Sequence, residues 1–170
     1  MQNIIYFAHG KETGPWGTKI QALAKIAQAH GCQVASPDYS ATMDPEERVQ
    51  MLLNLKPRAE KKLILVGSSM GGYVSAVASV QLKPQGLFLL APAFHIERYA
   101  VQSPQPCADL TVVIHGWNDD IVPCENSIRF AHTHKTELYL LDSDHRLTSV
   151  LPTIEKLFAI FLQRVLNEKP

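Results

Sequence analysis

The sequence predicts an α/β domain built on a doubly wound, six-stranded, mainly parallel sheet with helices on both faces. Three observations lead there. Short, almost continuously apolar runs recur along the chain, among them Leu63-Ile64-Leu65-Val66 and Leu87-Phe88-Leu89-Leu90. Amphipathic stretches long enough for helices separate them. No repeat, low-complexity tract or long linker interrupts the alternation. Strands that are apolar on both faces must be covered on both faces, as in a parallel sheet between helical layers. Right-handed crossovers then make the sheet doubly wound.

The elements follow in order. Ile4 to Ala8 reads as the first strand and ends in His9-Gly10. A helix follows from about Trp16 to His30, with Ile20, Leu23, Ala24 and Ala27 on one stripe and Gly31 as its stop. Cys32 to Ala35 is a second, weaker strand. Asp44-Pro45-Glu46-Glu47 is a helix start, with Asp as N-cap, Pro at the first position and Glu three residues after the cap. That helix stops before Pro57. Leu63 to Val66 is the third strand, and a helix of small residues runs on to about Leu82. Leu87 to Leu90, Thr111 to Ile114 and Glu137 to Leu141 complete the strands. A helix from Cys124 to about His132 lies between the last two. The closing helix carries Ile154, Leu157, Phe158, Phe161, Leu162 and Val165 on one stripe.

Composition bounds the function. At 170 residues the chain is long enough for one sizeable core, read as a single domain over 1–170. Lys plus Arg equals Asp plus Glu at 16 each, so no basic excess exists to hold nucleic acid and no charge run marks a membrane patch. The N-terminus has no basic segment and too short an apolar run for a signal peptide, and no stretch approaches transmembrane length. Cys32, Cys107 and Cys124 have neither metal-ligand nor disulfide spacing. A cytoplasmic location is expected, with no nucleic-acid or membrane partner; oligomeric state is not readable.

The chemistry centres on Gly67-Ser68-Ser69-Met70-Gly71. Gly-x-Ser-x-Gly between a strand and a helix is a nucleophile elbow. Side chains at Gly67 and Gly71 would collide with the neighbouring strand and helix. The turn holds the Ser69 hydroxyl out at the sheet's end, with a helix N-terminus behind it to favour developing negative charge. In open α/β sheets, ligands bind at the carboxyl ends of strands. Two further loops emerge there: His115-Gly116-Trp117-Asn118-Asp119-Asp120-Ile121-Val122-Pro123 after the fifth strand, and Asp142-Ser143-Asp144-His145-Arg146 after the sixth. A serine hydroxyl needs an imidazole to take its proton, and the imidazole needs a carboxylate to orient it. The order Ser, Asp, His suits an open α/β sheet. Either Asp119 or Asp120 could instead cap the helix near Pro123. Of seven histidines, only His145 follows the last strand. His9 and His115 are expected to brace their loops, His30 to meet the last carbonyls of its helix, and His132 and His134 to be solvated at a helix end. His95 either lines the pocket or is exposed.

With these residues the sequence resembles the α/β-hydrolase superfamily, in particular small, nearly lid-free bacterial serine esterases and dienelactone-hydrolase-like members. The resemblance rests on His9-Gly10, the elbow, His115-Gly116-x-x-Asp119-x-x-Val122-Pro123 and Asp144-His145, spanning nearly the whole chain. It implies Ser69 as nucleophile, Asp119 as triad acid, His145 as base and the backbone N–H groups of Met70 and Lys11 as oxyanion hole. It also implies a minimal α/β-hydrolase fold with strand order 2-1-3-4-5-6. The chain departs from larger members in three respects. It lacks the N-terminal antiparallel strand pair, its connection at about 91–109 is too short for a cap domain, and Lys11 to Pro15 lacks a glycine run.

The function expected is hydrolysis of small to medium carboxylic esters or thioesters through a Ser-His-Asp triad and an acyl-enzyme, with no metal or organic cofactor. Two alternatives stand beside it: a hydrolase of a lactone, peptide or carbon–carbon bond, and a catalytically inactive binding protein that keeps the fold.

Overall fold

The computed structural model describes residues 2–167. The chain runs β1 (Asn3–Ala8), α1 (Thr18–Ala29), β2 (Cys32–Ala35), α2 (Pro45–Asn54), β3 (Leu63–Ser68), α3 (Met70–Leu82), β4 (Gly86–Leu90), β5 (Leu110–Gly116), α4 (Cys124–His134), β6 (Glu137–Leu141) and α5 (Leu151–Asn167). All six strands pair in parallel in the order β2-β1-β3-β4-β5-β6, the order expected from the resemblance. The register aligns the strands' carboxyl ends: Ala8 faces Gly67, Ser68 faces Leu90, Leu90 faces Ile114, and Gly116 faces Leu141. The loops after β1, β3, β5 and β6 therefore emerge along one edge.

Alternation along the strands divides the core. Ile5, Phe7, Ile64, Val66, Phe88 and Ile114 turn to one face, where α1 and α5 supply Leu23, Ala27, Phe158 and Phe161. Leu65, Leu87, Leu89 and Val113 turn to the other, beneath α2, α3 and α4. Helix α3 is buried almost all round, which is why its sequence is small and apolar without a polar stripe. Among the described residues no helix is long and apolar enough to cross a membrane.

Local chemistry places the boundaries. Asp44 Oδ1 accepts from the N–H groups of Glu46 and Glu47 at 2.8 and 3.4 Å. The return half of the cap is relayed: the Asp44 N–H donates to Thr42 Oγ1, and that hydroxyl donates to Glu47. Helix α1 starts at Thr18, later than the expected Trp16, because Gly17 is its extended N-cap. Helix α4 runs two residues past His132 and closes on Lys135 in the left-handed conformation. That extension corrects the expectation for His134. Its ring packs 4.7 Å from Phe130 and is half-buried, whereas His132 is exposed as expected. His30 Nδ1 donates to Ile26 O, at 2.8 Å.

Candidate active site

The elbow is as tight as its glycines suggest. Ser69 adopts φ 55°, ψ −118°, a conformation that costs a non-glycine residue roughly 1–3 kcal/mol. A Cβ at Gly67 would lie 2.2 Å from Gly71 O, and one at Gly71 would lie 1.9 Å from Ala8 O. Both collisions are with backbone, so neither can be relieved by a side-chain shift. The Ser69 N–H is anchored on Leu90 O at 2.9 Å, which ties the Ser69 turn to the end of β4. Met70 leads α3, so its N–H has no carbonyl partner within the helix.

The three triad candidates meet. Ser69 Oγ lies 2.9 Å from His145 Nε2, and His145 Nδ1 lies 2.6 Å from Asp119 Oδ2. Asp119 is saturated with donors. Its Oδ1 accepts from the N–H groups of Ile121 and Val122 at 2.9 and 2.8 Å, and its Oδ2 also accepts from His115 Nε2 at 2.8 Å. Burial alone would push this carboxyl up; the hydrogen bonds from His145, Val122 and Ile121 overcome it and hold the group below its ordinary value. An ionised Asp119 fixes the proton on His145 Nδ1 and leaves Nε2 free to accept from Ser69. The carboxylate side chain is fully buried while the His145 side chain is 18% exposed, so the serine end of the relay faces the surface. Asp120, the rival acid, is exposed.

His115 earns its burial by bridging. Its Nε2–H is shared between Asp119 and Val122 O, and its Nδ1 accepts from Ser127 Oγ at 2.7 Å. Burial holds this imidazole below its ordinary value, which suits a neutral ring with one donor and one acceptor nitrogen. Gly116 lets the two loops touch: a Cβ there would sit 2.2 Å from Ser143 O. The His145 loop is shaped by Asp144 Oδ1, which accepts from the N–H groups of Arg146 and Leu147, and by Lys19 Nζ, which donates to Arg146 O at 2.9 Å.

On the β1 side, Gly10 approaches Ser69: a Cβ there would lie 3.6 Å from Ser69 Cβ. Lys11, an oxyanion donor by the resemblance, is the next residue. His9 is buried, donating from Nδ1 to Gly10 O at 2.8 Å and accepting at Nε2 from the Tyr39 N–H at 2.9 Å. His95 is half-buried at φ 54°, away from any hydrogen-bond partner at Nε2. Among the described residues no group of three or more His, Cys, Asp or Glu side chains could hold a metal ion.

Arg48 and Lys19 are the site residues that sequence reasoning missed. Arg48 had a faint signal: with Val49 and Leu52 it occupies the buried stripe of α2, a place where a charge is anomalous. Lys19 had none, since a lysine in the first turn of a surface helix reads as solvated.

Residues 3–103 match the model of UPF0227, an uncharacterised protein family. The chain belongs to that family. The UPF0227 match takes in Ser69, Lys11 and Arg48, whereas Asp119 and His145 lie beyond it. Solved structures extend over the whole sheet. A Xanthomonas campestris protein assigned to the α/β hydrolase superfamily is 28% identical, with a TM-score of 0.86 over 96% of this chain and 99% of that one. A lid-less α/β serine hydrolase of the same organism is 23% identical, with a TM-score of 0.73 over 99% and 84%. Est1E of Butyrivibrio proteoclasticus is 14% identical, with a TM-score of 0.82 over 98% and 89%. No curated protein matches the chain. This UPF0227 chain thus has the α/β-hydrolase fold in a minimal, cap-less form.

Proposed function

We propose that the chain is a serine hydrolase of small to medium carboxylic esters or thioesters. The observation that carries this reading is the relay Ser69 Oγ–His145 Nε2, His145 Nδ1–Asp119 Oδ2, at 2.9 and 2.6 Å. The hydrolases among its structural neighbours support hydrolase chemistry in general. In the first half-reaction Ser69 Oγ attacks the substrate carbonyl while His145 Nε2 takes the hydroxyl proton. The oxyanion rests on the N–H groups of Met70 and Lys11, donors of a kind worth roughly 3 kcal/mol each. Collapse expels the alcohol or thiol, which leaves with the proton from His145. Water then repeats the attack on the acyl-enzyme and returns Ser69. The short 91–109 connection leaves room for varied leaving groups and favours modest acyl chains. A soluble cytoplasmic setting with a small-molecule substrate is the matching proposal for the chain's surroundings.

The test is labelling with a fluorophosphonate, which captures an activated serine. Wild type should label and hydrolyse p-nitrophenyl esters or acyl thioesters of graded length; Ser69→Ala should do neither while melting cooperatively. Wild type that neither labels nor turns over would point to a binding protein. Labelling with activity only on lactones, peptides or carbon–carbon bonds would retain the triad and overturn the substrate class.

A further inference from the structure

Arg48 is a fully buried guanidinium in α2 that has no carboxylate within 4 Å among the described residues. A buried charge without a counter-ion is retained only where its donors are taken up by other groups. Here backbone carbonyls do so. Nε donates to Thr42 O at 2.9 Å, and Nη1 donates to Gly10 O at 3.0 Å and more weakly to His9 O at 3.4 Å. Nη2 lies 3.8 Å from Met43 Sδ. The guanidinium therefore joins the loop that leads into α2 to the loop that leaves β1.

The Gly10 carbonyl is held twice, by Arg48 Nη1 and by His9 Nδ1. It belongs to the same peptide plane as the Lys11 N–H. No peptide bond among the described residues is cis, and in a trans peptide the C=O and N–H point in opposite directions. Turning the carbonyl inward, onto Arg48 and His9, turns the Lys11 N–H outward, at the residue whose neighbour abuts Ser69. Two donors on the carbonyl, one of them charged, also polarise the peptide and strengthen its N–H as a donor.

We propose that Arg48 is a positioning residue for the oxyanion hole, holding the Gly10–Lys11 peptide so that its N–H is set for the tetrahedral intermediate before substrate arrives. The inference rests on the serine-hydrolase reading above. Arg48 touches no reacting atom; it acts through one peptide plane. Lysine can replace it only in part, because a single ammonium cannot span Thr42 O and Gly10 O with a fixed fork.

The test compares an oxygen ester with its thionoester, in which sulfur replaces the carbonyl oxygen and accepts hydrogen bonds poorly. Wild type, Arg48→Lys and Arg48→Met are titrated to completion with a fluorophosphonate, so rates refer to folded, competent sites only. Loss of an oxyanion donor lowers kcat by about 100-fold or more, and misplacement of one should lower it by about tenfold in Arg48→Met. KM should change little, Arg48→Lys should recover only part of kcat, and the oxygen-to-sulfur rate ratio should shrink in both variants. Where Arg48→Met does not fold, Arg48→Lys carries the comparison. Variants that keep the wild-type ratio and kcat per titrated site, however low their melting temperatures, would make Arg48 merely structural. Wild type that fails to label would instead remove the serine-hydrolase reading, and this inference with it.

Discussion

Asp119 and Asp120 are neighbours with opposite environments. Asp119 is buried under four donors and Asp120 is exposed. Asp119→Asn should lower kcat by roughly 10³- to 10⁴-fold, since an amide no longer fixes the His145 tautomer. Asp120→Asn should stay near wild type in the same ester assay; the reverse ranking would move the acid to Asp120. Lys19 supplies a second prediction. Burial lowers its ammonium pKa to about 8 from 10.5, against the opposing pull of Asp144 and Asp119. The sign follows from linkage. Between about pH 8 and 10.5 the unfolded chain holds this proton and the folded chain has released it, so the folded state gains stability as pH rises. The melting temperature of wild type should therefore rise relative to Lys19→Met across that window, and a constant difference would mean that Lys19 is not desolvated.

The elbow and the loops around it act as units joined by backbone contact. Gly71→Ala places a methyl group 1.9 Å from Ala8 O, and β1 cannot retreat without leaving the sheet. Overpacking of this kind costs about 3 kcal/mol or more, so Gly71→Ala should melt far below wild type or fail to fold. Gly14→Ala is the control, because a Cβ there meets nothing within 4 Å. Its melting temperature should equal or slightly exceed wild type, through a less flexible unfolded chain. Helix α2 ties down the 91–109 connection as well: Glu46 Oε1 accepts from Tyr73 Oη at 2.5 Å and from the Ala100 N–H at 3.3 Å, and Tyr73 Oη accepts from the Val101 N–H at 3.1 Å. One helix thus steadies both the loop after β1 and the 91–109 connection.

Across the whole molecule, stability comes from the two apolar layers rather than from surface charge. Phe158 is fully buried, with its ring 5.0 Å from Phe88 and 6.0 Å from Phe161, linking α5 to β4. Phe158→Ala should cost about 3–5 kcal/mol in chemical denaturation. The Arg164–Glu137 pair between α5 and β6 is short, at 2.7 Å, but both side chains are more than a third exposed. Solvent screening limits such a pair to under about 1 kcal/mol, so Glu137→Gln should shift the denaturation midpoint only slightly. A larger loss there than at Phe158 would overturn this ranking.

Period and punctuation in the sequence were enough for the strands, the helices and the elbow. Leu63 to Val66 reads as a covered strand, Asp44-Pro45 as a helix start, and Gly67 and Gly71 as a turn where backbones touch. These are short-range properties, written in neighbouring residues. The order of elements also put Ser69, Asp119 and His145 on one edge, because parallel strands all end on the same side. Tertiary structure alone decided what surrounds them. It gave Asp119, the acid the resemblance implies, and its neighbour Asp120 opposite surroundings by burying one carboxylate under four donors. It set His115 on that carboxylate, Lys19 on the carbonyl beside His145, and Arg48 on a carbonyl 38 residues away. The physical reason is that polar partners are chosen by distance and desolvation after the layers have packed. A charged residue on a helix reads as solvated until the sheet beneath it takes the water away.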